Sequence, residues 1–170
     1  QLVAALIKRA PELYDVEIIH ILTVGEENYS APEMAGHLRV NTQFIGGNVR
    51  RAVNEGRADF TLVFLSEVPR LYRSVLKPDV ALIHISPPDD HGFCSFGVEV
   101  SVSKPATWAA DTVIAQVNPQ MPRTLGDSFI HVSRLSAIVE VDDPIDEVPQ
   151  SSANNLEALV GQQIIDLIED

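Results

Sequence analysis

Short apolar runs rich in β-branched residues alternate along this chain with segments whose apolar positions recur at helical spacing. Val16–Leu22, Thr42–Ile45, Asp59–Phe64, Asp79–Ile85 and Thr112–Val117 read as strands bounded by Gly, Pro, Asn or Asp. Phe129–Val132 and Ala137–Val141 read as two further strands, candidates for an antiparallel edge. Helical spacing fits an opening segment carrying Leu2, Leu6 and Ile7, which Pro11 limits. It also fits a helix capped by Asn48 that turns Val49, Ala52 and Val53 inward and ends at Gly56. Ser66–Val75 and Lys104–Ala110 read as helices too. A last helix opens on the capping-box pair Asn154 and Glu157, with Leu156, Leu159, Val160, Ile164, Leu167 and Ile168 on its core face. Strands alternating with helices predict βαβ units. The expected fold is α/β, doubly wound, with a mainly parallel sheet and helices on both faces.

Composition narrows the setting. A chain of 170 residues with 45% hydrophobic content suits one globular domain, able to bury about two-thirds of its unfolded surface. The domain is expected over 1–150, with 151–170 opening a helix that leads to a second domain. A formal charge of −12 argues against nucleic acid, whose phosphates recruit Lys and Arg. Residues 140–147 hold five carboxylates in a solvated, linker-like stretch. The basic middle (Arg50, Arg51, Arg57, Arg70 and Arg73) suits an anionic ligand better. A single cysteine, Cys94, rules out an internal disulfide framework and fits a reducing compartment. No apolar run approaches the roughly 20 residues of a membrane span, so the cytoplasm is expected and a membrane partner is not. Gln1 in place of Met, and a helical pattern still running at Asp170, read as a piece of a longer chain.

Candidate chemistry sits in the loops that follow strands, where open α/β sheets place their ligands. Gly46-Gly47-Asn48 joins a strand to a helix start. It is either an ordinary tight turn or a place where backbone N–H groups meet an anion. Gln120-Met121-Pro122-Arg123 ends a loop after Thr112–Val117. Arg123 there either forks onto a carboxylate or phosphate, or pairs with Asp127 or a backbone carbonyl to hold its loop. Asp89-Asp90-His91-x-x-Cys94 contains metal-ligand types but no complete ligand set, so it reads as a loop shaping a pocket and no metal is expected. Cys94 reads as a structural thiol, His20 and His84 as core histidines, and Trp108 as packing.

Four stretches resemble one known family. They are Gln43-Phe-Ile-Gly-Gly-Asn-Val-Arg-Arg-Ala-Val-Asn-Glu-Gly-Arg-Ala-Asp59, Phe64-Leu-Ser-Glu-Val-Pro-Arg70, Ser86-Pro-Pro-Asp-Asp-His-Gly-Phe-Cys-Ser-Phe-Gly97 and Gln116–His131. Read in order across most of residues 16–142, they resemble the amino-terminal domain of the acetyl-CoA hydrolase/transferase family. That family includes 4-hydroxybutyrate, butyrate and succinate CoA-transferases. The resemblance implies two similar α/β halves with the active site between them, and ping-pong transfer of CoA from an acyl-CoA to a small carboxylate. Coenzyme A is then a substrate, carried as a thioester. It also implies that the nucleophilic glutamate lies in the carboxy-terminal half. Glu26, Glu27, Glu33, Glu55, Glu67 and Glu99 are accordingly set aside as nucleophiles, and this piece alone is expected to be inactive. One wall of the cleft is then expected from Gly46, Gly47, Asn48, Gln120, Met121, Pro122 and Arg123. The expected partners are the carboxy-terminal half of the same protein and further copies in a homo-oligomer, a dimer. A thioester hydrolase of the same family and a non-catalytic α/β binding or scaffold domain are the alternatives.

Overall fold

The computed structural model describes residues 1–25, 28–148 and 151–168. Glu26 and Glu27, two of the glutamates set aside above, lie outside the described residues, as does the expected 150/151 boundary. Strands β1 (Val16–His20), β2 (Leu38–Thr42) and β3 (Asp59–Phe60) form one three-stranded parallel sheet in that order. Strands β4 (Val80–Ile85), β6 (Thr112–Val117) and β8 (Ala137–Glu140) form a second, also parallel throughout. A short antiparallel ribbon pairs β5 (Phe93–Ser95) with β7 (Phe129–His131). The helices are α1 (Leu2–Arg9), α2 (Gly47–Asn54), α3 (Val68–Ser74), α4 (Val100–Ala109) and α5 (Asn155–Ile165). Mostly parallel sheets flanked by helices make this the expected α/β class. Among the described residues no helix is long and apolar enough to cross a membrane.

Two cores follow from period-two alternation in the strands. Ala81, Ile83 and Ile85 of β4 and Val113, Ala115 and Val117 of β6 face one side, where the ribbon's Cys94 and Ile130, together with Phe96, close over them. Leu38 and Val40 of β2 meet Val49 and Ala52 of α2, with Ala10, Tyr29 and Ala58 completing the second cluster. Each fully buried Val, Ile or Phe in these clusters contributes about 1.5–3 kcal/mol.

Several elements differ from the expected ones. The second strand is Leu38–Thr42, not Thr42–Ile45, because its polar end is satisfied across the sheet. The Asn41 amide donates to Glu17 Oε1 at 2.9 Å and its carbonyl oxygen accepts from Thr61 Oγ1 at 2.7 Å. Asp59–Phe64 shrinks to two paired residues. Ala137–Glu140 runs parallel to β6, and all four of its residues are exposed at the sheet's edge. Gly46, not Asn48, caps α2, and Asn48 turns inward one step into the helix. The capping box at Asn154 and Glu157 is present. The apolar face of α5 is exposed, so it is not core in this structure.

Parallel pairing fixes where the loops emerge. Ile85 stands opposite Val117, and the next residue, Asn118, donates its N–H to Ile85 O at 3.0 Å. The 86–97 and 118–126 loops therefore leave side by side at the carboxyl end of the second sheet. Gly97 locks them together. Its φ is +55°, and a Cβ there would strike Met121 Sδ and come within 2.6 Å of the Pro122 carbonyl oxygen. Backbone cannot yield as a flexible side chain can. Gly97→Ala should therefore cost about 3 kcal/mol, from the left-handed φ and the overpacking together. Urea unfolding measures it, and a loss under about 1 kcal/mol would show that the two loops can separate without strain.

Candidate functional site

The paired loops are held by three hubs. Ser95, fully buried, accepts the Thr124 and Gly97 N–H groups at 3.1 Å on its hydroxyl. Its own N–H donates to Ser86 Oγ at 2.9 Å. Asn118, also fully buried, donates its side-chain amide to Asp143 O at 2.8 Å and accepts the Gln120 N–H at 3.0 Å. Arg123 is the third hub. Its guanidinium donates to Phe93 O at 2.9 Å and to Asp89 Oδ2 at 2.5 Å, and lies 4.9 Å from the Phe129 ring centre. These are the contacts that the loop-clamp reading of Arg123 requires. Its partner is Asp89 rather than Asp127, which pairs with Lys104.

Electrostatics follow from these contacts. The Phe93 N–H, the His91 N–H and the Arg123 charge hold the Asp89 carboxyl below its ordinary value, against some desolvation. Burial pushes the Cys94 thiol up, so it stays protonated and inert in the core. Gln120 is exposed and donates to Asp142 Oδ1 at 2.7 Å, Pro122 is exposed, and Met121 is buried beneath Gly97.

At the carboxyl end of the first sheet, Gly46 starts α2 and Gly47 is exposed. The Asn48 amide donates to Thr23 O at 3.1 Å and Tyr29 Oη at 2.7 Å, tying the turn to the loop after β1. That loop reaches the segment after β8, since a Cβ on Gly25 would lie 3.4 Å from Asp146 Oδ2. Of the two adjacent arginines, Arg51 pairs with Glu55 at 2.7 Å, whereas the Arg50 guanidinium donates to Ile45 O at 3.4 Å.

His20 and His84 are both partly buried. Burial lowers the pKa of both His20 and His84, keeping them neutral near pH 7. Glu99 Oε2 accepts the His84 N–H at 3.2 Å, and burial raises its pKa. Separately, a cavity of about 330 Å³ opens at the amino-terminal end of β2, between Arg39, Arg57 and Ser30 of the loop after β1. Both guanidiniums there are already engaged, by Asp59, and by Glu55 and the Ser30 carbonyl. Sequence reasoning missed Ser95, Asn118 and Asp89 as organisers. Their signal was a Ser, Asn or Asp lying within or just after a strand, in a Pro/Gly-rich setting.

The model of the acetyl-CoA hydrolase/transferase N-terminal domain matches residues 1–149. The chain belongs to that family. It is 46% identical over 170 residues to the 4-hydroxybutyrate coenzyme A transferase of Clostridium kluyveri, covering 99% of this chain and 40% of that protein. It is 43% identical over 160 residues to a succinyl-CoA:acetate/propanoyl-CoA:succinate CoA transferase of Fasciola hepatica, covering 93% of this chain and 33% of the relative. Among solved structures, the 4-hydroxybutyrate CoA-transferase of Porphyromonas gingivalis superposes with a TM-score of 0.79 at 36% identity. RipA from Yersinia pestis does so at 0.90 and 27%. Each match covers 99% of this chain, but 38% and 42% of those structures. The chain thus spans about two-fifths of the length of the first of these relatives.

The clamp is testable in this member of the family. Arg123→Lys keeps the charge but loses the fork that spans Phe93 O and Asp89, so the melting temperature should fall by about 2–4 °C. The Asp89 contribution has a definite pH sign. A carboxylate whose folded-state pKa is lowered stabilises the fold above its unfolded value and loses that effect as pH falls through the folded one. The stability gap between wild type and Asp89→Asn should therefore be full at pH 7 and close below pH 3.8. An unchanged melting temperature in Arg123→Lys would refute the clamp.

Proposed function

We propose that this chain is the amino-terminal half of an acyl-CoA:carboxylate CoA-transferase and forms one wall of its substrate cleft. The observation that carries the reading is 46% identity to a named CoA-transferase across essentially the whole chain, both paired loops included. The division at 150/151 fits it, with 151–170 leading into the second half. The family's chemistry supplies the steps. A glutamate carboxylate of the carboxy-terminal half attacks the thioester carbonyl and expels CoA as the thiolate, leaving an acyl-glutamyl anhydride. The thiolate then attacks the glutamyl carbonyl and releases the first carboxylic acid as its anion. The acceptor carboxylate runs the same two steps in reverse.

The wall comprises Gly46, Gly47, Asn48, Gln120, Met121, Pro122 and Arg123. Gly47 is exposed in the first turn of α2, where backbone N–H groups have no helical acceptor. Asn48 fixes that turn, Met121 props the second loop, and Arg123 fastens that loop to Asp89. A carboxylate is a weak nucleophile, so such a site depends on proximity and on keeping water away, which rigid loops serve. The partners are an acyl-CoA, a small carboxylate, the carboxy-terminal half and a second copy of the chain in a cytoplasmic homodimer. Coenzyme A is the carried group, and no metal takes part. The acyl groups in the relatives' names, 4-hydroxybutyrate and succinate among them, suggest a short aliphatic one here.

The test uses the full-length protein with acetyl-, butyryl- or succinyl-CoA and isotopically labelled acetate. Labelled acetyl-CoA should form from at least one of the three, while CoA release without an added acid stays slow. Fast CoA release with no labelled product would make the protein a hydrolase of the same family, and neither rate rising above background would overturn both readings. The isolated 170-residue piece should give no turnover; if it does, a nucleophile lies within it and Glu99→Gln is the first variant to assay.

A further inference from the structure

The carboxyl end of the first sheet carries a feature that folding alone does not explain. The parallel register sets His20 opposite Thr42, and Thr42 opposite Phe60. The ladder continues one step further, with the Gln43 N–H donating to His20 O at 3.1 Å and the Thr61 N–H donating to Thr42 O at 3.0 Å. Two residues past the last paired positions stand Leu22, Phe44 and Leu62. They are 53%, 58% and 85% exposed. Single exposed apolar residues are ordinary, but three at the same level on adjacent strands make a row.

The middle of the row is built to stay in place. The buried Thr42 hydroxyl donates to Phe44 O at 2.6 Å, and the Gly46 N–H donates to the same carbonyl at 3.0 Å. Gln43 is buried between them, its amide donating to Asn41 O at 3.1 Å and its oxygen accepting the Tyr72 hydroxyl at 2.8 Å. Leu22 lies against Gly46, since a Cβ there would come within 2.7 Å of Leu22 Cδ1. A turn whose backbone is ordered from both sides thus carries the exposed Phe44 three residues before the exposed Gly47. A backbone fixed before the ligand arrives lowers the ordering cost of binding there.

We propose that Leu22, Phe44 and Leu62 form the apolar wall along which the acyl chain of the thioester lies, so that Phe44 sets the preference for acyl length. This rests on the CoA-transferase reading above. A hydrocarbon chain is the occupant that the row suits, because a carboxylate laid there would lose water without gaining a donor from these side chains. The polar groups of the cleft then remain for the reacting carboxyl carbons.

The experiment compares full-length wild type, Phe44→Ala and Phe44→Leu, using acetyl-CoA and butyryl-CoA with labelled acetate. The butyryl-to-acetyl ratio of kcat/KM should fall about tenfold in Phe44→Ala and stay within about threefold of wild type in Phe44→Leu. Leu62→Ala, at the most exposed position of the row, should move the ratio the same way and gives the reading should Phe44→Ala melt early. An equal fall for both thioesters with a lowered melting temperature would make the row a packing surface for the second half and overturn the proposal. So would an unchanged ratio in variants that still transfer CoA, and that outcome would leave the functional reading standing. A wild type that makes no labelled acetyl-CoA from either thioester would overturn both.

Discussion

The parallel ladder that sets Ile85 opposite Val117 decides where the chemistry of this half can lie. Two strands running in the same direction must release their following loops at the same end, however those loops then fold. The 86–97 and 118–126 loops thus meet without any help from their own sequences. Their polar residues need only secure a proximity that the strands have already imposed. Ser95 gathers the backbone of both loops on one buried hydroxyl, and Asn118 ties the end of β6 to the segment beyond β8. Remove the ladder and these short-range contacts would have nothing to hold together.

How much of this could be read from the sequence depended on whether the deciding contact was local. Val80–Ile85 and Thr112–Val117 announce themselves as strands because buried parallel strands need unbroken β-branched runs. The Asn154–Glu157 box is equally legible, both of its bonds lying within four residues. Ribbon strand β5 was not legible. It lies inside a loop rich in Gly and Pro and becomes a strand only by pairing with β7, more than 30 residues onward. The partner of Arg123 was hidden for the same reason. Asp127 is four positions away in sequence, but Asp89, 34 positions away, is where the parallel ladder brings a carboxylate within reach. Leu38–Thr42 was obscured by chemistry rather than distance. Its arginine, asparagine and threonine look like a turn until Glu17 and Thr61 supply the missing partners from the neighbouring strand and the residue after β3.

For the residues of the candidate wall, local structure was more legible than side-chain contacts. Gly46-Gly47 does lie where a strand yields to a helix, but Asn48 acts by fastening the loop after β1 rather than by capping. Arg123 reads from sequence as either a ligand fork or a loop clamp, and its guanidinium bonds Phe93 O and Asp89 of its own protein. A motif records that a residue type is needed at a place. Whether it is needed for a ligand or for the loop that meets the ligand is settled by what already occupies its donors.

Charge adds a constraint on what this half can receive. With a formal charge of −12 and five carboxylates within 140–147, the chain is a poor host for a polyanion. The acidic segment also lies close to the candidate rim, because Asp142 and Asp143 are bonded to Gln120 and Asn118. Of the arginines in the basic middle, Arg51 and Arg57 both pair with Glu55, which leaves less free positive charge than a count suggests. The acyl end of a CoA thioester, apolar and carrying no more than one carboxylate, would not meet the obstacle that a polyanion does. On the reading proposed above, this distribution fits a division in which the other half holds the nucleotide.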